Sequence, residues 1–269
     1  MKKTVLVLIT FALVTAVAGS GFWLVHYFID SREQRQTYEN LAEEFVLEST
    51  PSVRPENSSS LDSSLDAGEN DVSSPVESPD TPPRHDLAAL AAENPDCAGW
   101  LTIPDAGIDY PVMHTPNDPE HYLRRDFYGD SASGGTPFLD GRNLAETENQ
   151  NLIVYGHNMM DGSMFKPLIS YLEPSFQETH KEIYLELSEK QYRYELVTVL
   201  ETNTQCSLYQ YTDLSDPAEE SDFRAAILKE TDLDGVHQAS GYLTLSTCNN
   251  GGGNSRVLVI AALAGEVSA

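Results

Sequence analysis

The residues able to do chemistry in this 269-residue chain gather around two strand ends. The run Tyr242-Leu243-Thr244-Leu245-Ser246-Thr247-Cys248 reads as a strand that stops at a cysteine. A polar, triple-glycine stretch, Asn249 to Ser255, follows, and Arg256 then heads the apolar run VLVIAAL. Such a pattern predicts a hairpin, with antiparallel return placing Arg256 beside Cys248 at one sheet end. Strand alternation puts Cys248 on the face of Thr244 and Ser246, opposite Leu243 and Leu245. A thiol beside a guanidinium and a glycine-rich turn has the makings of a nucleophile with an oxyanion partner. The plainer alternative is a small buried hydrophobe, the common state of free cysteine.

A second strand, NLIVY, runs out at Gly156 and delivers His157 into the polar turn NMMDGS. A histidine there is suited to acid/base work, because a core element fixes its backbone while the ring faces solvent. His26 lies in an apolar N-terminal run and His85 borders a linker, while His114, His121, His180 and His237 sit in polar or turn-like surroundings. A metal site is the competing reading for His157 and Cys248, but no paired ligand spacing completes it. Cys97, Cys206 and Cys248 make an odd count without C-x-x-C spacing, so at least one thiol is expected free, and Cys97 and Cys206 are read as packing residues.

These residues need a scaffold. Asp86 is placed to cap a short helix, LAALAAEN, which Asn94-Pro95 ends. Beyond it, eight segments read as strands: 100–103, 108–113, 136–139, 151–155, 182–187, 191–202, 242–247 and 257–263, a pattern of a barrel or sandwich. Two helical interruptions are expected, at 164–172 and at 217–229. The second has Asp216 at its N-cap, Pro217 first, and Phe223, Ala226 and Ile227 as one apolar stripe that should lie over the sheet.

Towards the N-terminus the character changes. Thr4 to Ile29 is a 26-residue run whose one ionisable side chain is His26, long enough to cross a hydrocarbon core of roughly 30 Å. Lys2 and Lys3 precede it and acidic residues dominate after it, so the positive-inside bias places the N-terminus in the cytoplasm and the remainder outside. Ala16-Val17-Ala18 resembles a signal-peptide cleavage site. Against cleavage, the apolar run continues past Gly19, and Phe22, Trp23, Tyr27 and Phe28 are placed like an interfacial belt.

Residues 1–29 are thus read as a cytoplasmic start and transmembrane anchor, and 30–48 as a juxtamembrane segment with a short helix. Residues 49–84 hold ten Ser, six Pro and no aromatic residue, and are read as a disordered Ser/Pro/acidic linker that holds the domain off the membrane. Residues 85–269 form one extracellular domain, carrying 10 basic against 29 acidic groups. A formal charge of -26 over the chain argues against nucleic-acid binding, which needs a basic surface.

Strand-end His157, the run Thr244-Leu245-Ser246-Thr247-Cys248 and Arg256 resemble the signature of sortases, cysteine transpeptidases of Gram-positive surfaces. The segments CAGWLTIPDAGIDYPVM and GGTPFLDGRN, the helix before the first strand and a helix-bearing insertion between Thr202 and Gly241 are most similar to class B. The resemblance covers most of residues 86–264. It implies a mainly β, sortase-type eight-stranded barrel with Cys248 as nucleophile, His157 as general acid/base and Arg256 stabilising the substrate carbonyl or oxyanion. Ser246 and Thr247 are implied to shape the peptide groove.

By the same resemblance, the enzyme cleaves a sorting signal after Thr, holds the substrate as a thioester, and passes it to an amine of a peptidoglycan precursor or a pilin lysine. Its partners are then surface proteins or pilins bearing that signal, and no metal or organic cofactor is required. Two rivals remain. A secreted cysteine peptidase of wall peptides would usually place Cys before His, the reverse of the order here. A non-catalytic surface module would keep Cys248 inert.

Overall fold

The computed structural model describes residues 2–47, 81–231, 233–249 and 253–267. Eight strands close into one barrel: β1 (Cys97–Ile103), β2 (Ile108–Met113), β3 (Phe138–Leu139), β4 (Asn151–Tyr155), β5 (Glu182–Leu187), β6 (Lys190–Asn203), β7 (Tyr242–Cys248) and β8 (Ser255–Glu266). Around the barrel they run β1-β2-β3-β4-β7-β8-β6-β5. Neighbours are antiparallel except β2 with β3 and β4 with β7, which are parallel. The expected barrel or sandwich is therefore a barrel. A closed sheet leaves no free edge for another chain to pair with.

Alternation decides what each face does. On β7 and β8 the residues Leu243, Leu245, Val259 and Ala261 join the main core, with Leu152, Val154 and Leu185 from neighbouring strands. Tyr242, Leu258 and Ile260 point the other way and meet a second apolar cluster that includes Leu200, Leu208, Phe223 and Ile227. Phe223 and Ile227 belong to α4 (Pro217–Glu230), whose first turn is capped by Asp216 accepting from the Ala218 N–H at 2.9 Å. The helix expected to lie over the sheet does so, on the outer face of β7 and β8.

Shorter elements fill the connections. Helix α2 (Leu87–Glu93) is capped by Asp86, which accepts from the Ala89 N–H. Within the expected helical stretch 164–172, Lys166–Leu172 is a 3-10 helix, and α3 (Pro174–Thr179) follows it. Two further 3-10 turns, His121–Arg124 and Ser207–Gln210, were not expected.

The N-terminal helix, α1 (Lys2–Glu44), runs through the apolar stretch and onwards without a break. It is the one helix among the described residues long and apolar enough to cross a membrane. Its later turns pack on the barrel. Tyr38 and Leu41 are buried, and the Tyr38 ring meets Tyr110 of β2 edge-on at 5.3 Å. Of the segment read as a linker, 49–80 lies outside the described residues, whereas 81–84 lies on the barrel, with the Pro82 carbonyl accepting from Gln191. Val46 and His85, which flank the segment, form an antiparallel bridge. The later turns of α1 and the barrel touch directly.

Candidate active site

One parallel pairing brings the two strand ends together. β4 and β7 are in register from Asn151 with Tyr242 to Tyr155 with Ser246. His157 and Cys248 each lie two residues beyond that last pair, on neighbouring chains spaced by about 4.8 Å. β8 returns antiparallel and sets Arg256 opposite Cys248. Cross-strand partners share a face with Cβ atoms roughly 5 Å apart, so thiol and guanidinium stand side by side. Cys248 is exposed and free, whereas Cys97 and Cys206 are free and buried.

Backbone and side-chain bonds fix the bend that carries His157. The Gly156 N–H donates to the Ser246 carbonyl at 3.1 Å, and the Gly156 carbonyl accepts from Thr247 Oγ1 at 2.8 Å. A Cβ on Gly156 would lie 2.6 Å from carbons of the Phe165 ring, so only glycine lets the chain turn there. Asn158 Nδ2 then donates to the Cys248 carbonyl at 2.8 Å, tying the loop after His157 to the cysteine itself.

The ring of His157 is half-buried, with Nε2 2.9 Å from the Leu123 carbonyl. A carbonyl can only accept, so Nε2 carries the hydrogen and the neutral ring offers Nδ1 as its base. Burial, the Arg124 charge and the Arg256 charge hold the imidazole below its ordinary pKa, with the Leu123 bond opposing them. Arg256 Nη1 donates to the carbonyls of Gly253 and Ser255 in its own turn.

The two residues expected to shape a peptide groove part company. Ser246 stands on the Cys248 face and its hydroxyl pairs with Tyr209 Oη at 2.8 Å. Thr247 lies on the inward face with Leu243 and Leu245, where its hydroxyl holds Gly156. Tyr209, in the 3-10 turn between β6 and α4, went unnoticed in the sequence. Burial raises its phenol pKa most, and its bond to Ser246 sets this residue of the insertion two positions from Cys248 along β7. Arg142 holds it there. Its guanidinium grips Asp140 at 2.7 and 2.8 Å and donates to the Tyr209 carbonyl at 2.7 Å, while Tyr155 also donates to Asp140. Among the described residues, no group of three or more His, Cys, Asp or Glu is arranged to hold a metal ion.

A closed eight-stranded barrel presenting thiol, imidazole and guanidinium at one end has the layout of a barrel-fold cysteine transferase. Comparisons with known proteins agree. The family model described as the sortase domain matches residues 101–264. Sortase B of Listeria monocytogenes is 35% identical over 169 residues, 62% of this chain and 68% of that protein. A Staphylococcus aureus sortase B–substrate complex superposes with a TM-score of 0.60 at 27% identity, covering 68% of this chain and 85% of that one. Sortase B from Bacillus anthracis, solved with AAEK1, gives 0.63 at 25% identity over 88% of this chain and 99% of that one. The chain belongs to the sortase family. Its relatives are class B sortases, and it is a cysteine transpeptidase of that kind.

Proposed function

We propose that this sortase is anchored in the membrane by α1 with its barrel outside the cell, cleaves a sorting signal after Thr, and transfers the new carboxyl end to an amine. The observation that carries the chemistry is the parallel β4–β7 register, with Arg256 opposite Cys248. In the first half-reaction His157 Nδ1 takes the Cys248 thiol proton, the resulting thiolate attacks the Thr carbonyl carbon, and the oxyanion forms beside the Arg256 guanidinium. The C–N bond then breaks, His157 gives its proton to the leaving amine, and a thioester remains. In the second, an acceptor amine attacks the thioester, His157 takes the amine proton, and the thiolate leaves.

The acceptor is the amine of a peptidoglycan precursor or of a pilin lysine, and the donors are surface proteins or pilins carrying the sorting signal. The Staphylococcus aureus complex with substrate supports a peptide of this kind. Membrane attachment is supported by the apolar length of α1 and by Lys2 and Lys3 ahead of its apolar run. Mass spectrometry of the full chain with Asn-Pro-x-Thr and Leu-Pro-x-Thr peptides, with and without amines, tests the proposal. An adduct on Cys248 that moves to the amine is expected. Release of free acid only, indifferent to amine, would mean a hydrolase instead.

A further inference from the structure

The later turns of α1 reach both peptide segments that hold His157. On one side, the Leu123 carbonyl fixes the ring at Nε2. Gly135 rests on that carbonyl: its φ is +60°, and a Cβ there would come within 2.5 Å of the Leu123 and Tyr122 oxygens. Thr136 N–H also donates to Tyr122, which keeps the two stretches together. The Gly135 carbonyl in turn accepts from Gln34 Nε2 at 2.7 Å and from Tyr38 Oη at 2.8 Å, and Gln34 Oε1 accepts from the Gly134 N–H at 3.1 Å.

On the other side is the loop that leaves His157 and returns at Phe165, whose N–H donates to the His157 carbonyl at 2.8 Å. Tyr27 Oη accepts from the Met160 N–H at 3.1 Å, and Arg35 pairs with Asp161 at 3.3 Å. Tyr27 and Tyr38 lie about 16 Å apart along the helix at 1.5 Å per residue. A single rigid element therefore braces the ring and the backbone of the same histidine, while putting no side chain of its own among the reacting groups.

We propose that α1 is the positioning element for His157, with Gln34 and Tyr38 acting through Gly135 on the Leu123 carbonyl. The inference rests on reading His157 as the acid/base, and it gives the N-terminal helix a part in turnover besides attachment. Arg124 and Arg256 are the charges that act on the ring, and neither belongs to α1.

The test is a Gln34→Ala, Tyr38→Phe double variant of the full chain in detergent, which removes both donors to Gly135. Imidazole ¹⁵N spectra give the tautomer and titration of His157, and turnover of a sorting peptide is followed across pH. The Nε2–H form is expected to lose its dominance and the titration to move further down, since the Leu123 bond favours the charged ring. Misplacement on the order of 1 Å costs up to about 10²-fold, so kcat should fall about tenfold or more, with KM within about twofold because α1 does not line the reacting groups. An unchanged tautomer and titration would overturn the inference, whatever the rate. Should the double variant not fold, Tyr38→Phe alone, which loses one hydroxyl, is judged by the same spectra. A wild-type chain inactive on every peptide would sink the functional reading, while the spectra still decide the role of α1.

Discussion

Replacing Thr247 by valine would remove one hydroxyl and keep the branched shape of the side chain. Thr247 is 2% exposed, and its Oγ1 donates to the carbonyl of Gly156, immediately before His157. Valine takes that donor away. A buried acceptor left unsatisfied costs about 1–3 kcal/mol; this bond is only partly buried, and the Gly156 N–H stays on Ser246, so about 1–2 kcal/mol is expected. For a domain of this size each kcal/mol lowers Tm by about 2–4 °C, hence a fall of about 2–8 °C by calorimetry or circular dichroism. The same loss lets the Gly156–His157 peptide rotate away from its set angle. Peptide turnover should then show kcat reduced about tenfold with KM nearly unchanged. An unchanged Tm together with a raised KM would refute this reasoning, because it would put the hydroxyl on the substrate and not on Gly156.

Cys248→Ala should abolish the covalent peptide adduct in mass spectrometry while leaving Tm within about 2 °C, since the exposed strand-end sulfur contributes little packing; a persisting adduct would reject Cys248 as nucleophile. Arg256→Lys should lower kcat/KM by about 10²-fold, the scale of losing one oxyanion donor, because a point charge does not reproduce the guanidinium fork. Near-normal rates would leave Arg256 as support for its own turn. Arg124→Gln removes a positive charge that holds His157 below its ordinary pKa, so the His157 limb of the pH–rate profile should move to higher pH. A profile that stays put or moves to lower pH would contradict the placement of Arg124 beside the ring.

Much of this architecture is written locally. The strand NLIVY and the strand YLTLSTC could be read from apolar runs and turn residues, and the caps Asp86 and Asp216 from side-chain type and spacing. Strand ends drifted where pairing extends past the apolar core. β8 continues through Gly265 to Glu266 alongside β6, and β3 shrinks to two residues because the Thr136 N–H donates to the Tyr122 carbonyl and not to a neighbouring strand.

His157, Cys248 and Arg256 stood out because each ends or begins a strand. Tyr209, Asn158 and the Leu123 carbonyl did not, because nothing local marks them. Tyr209 reaches Ser246 only through the path of the insertion, and Leu123 reaches His157 only through the fold of the 3-10 turn. The packing of α1 was hidden for a related reason. Composition read 30–48 as a juxtamembrane segment with a short helix and named no partner for it, whereas Tyr38 and Leu41 find theirs on β2 and around it.

The bridge between Val46 and His85 has a consequence for how the chain can vary. Leu47 N–H donates to the Arg84 carbonyl and Asp86 N–H to the Phe45 carbonyl, each at 2.7 Å, so the chain on one side of 48–80 is clasped to the chain on the other. Behind such a clasp, length is nearly free of thermodynamic consequence: doubling a closed loop costs about 0.6 kcal/mol. An insertion between the two clasped ends is expected to leave the seating of α1 on the barrel unchanged. The distance from α1 to the catalytic end is set by the clasp and by the side chains of α1.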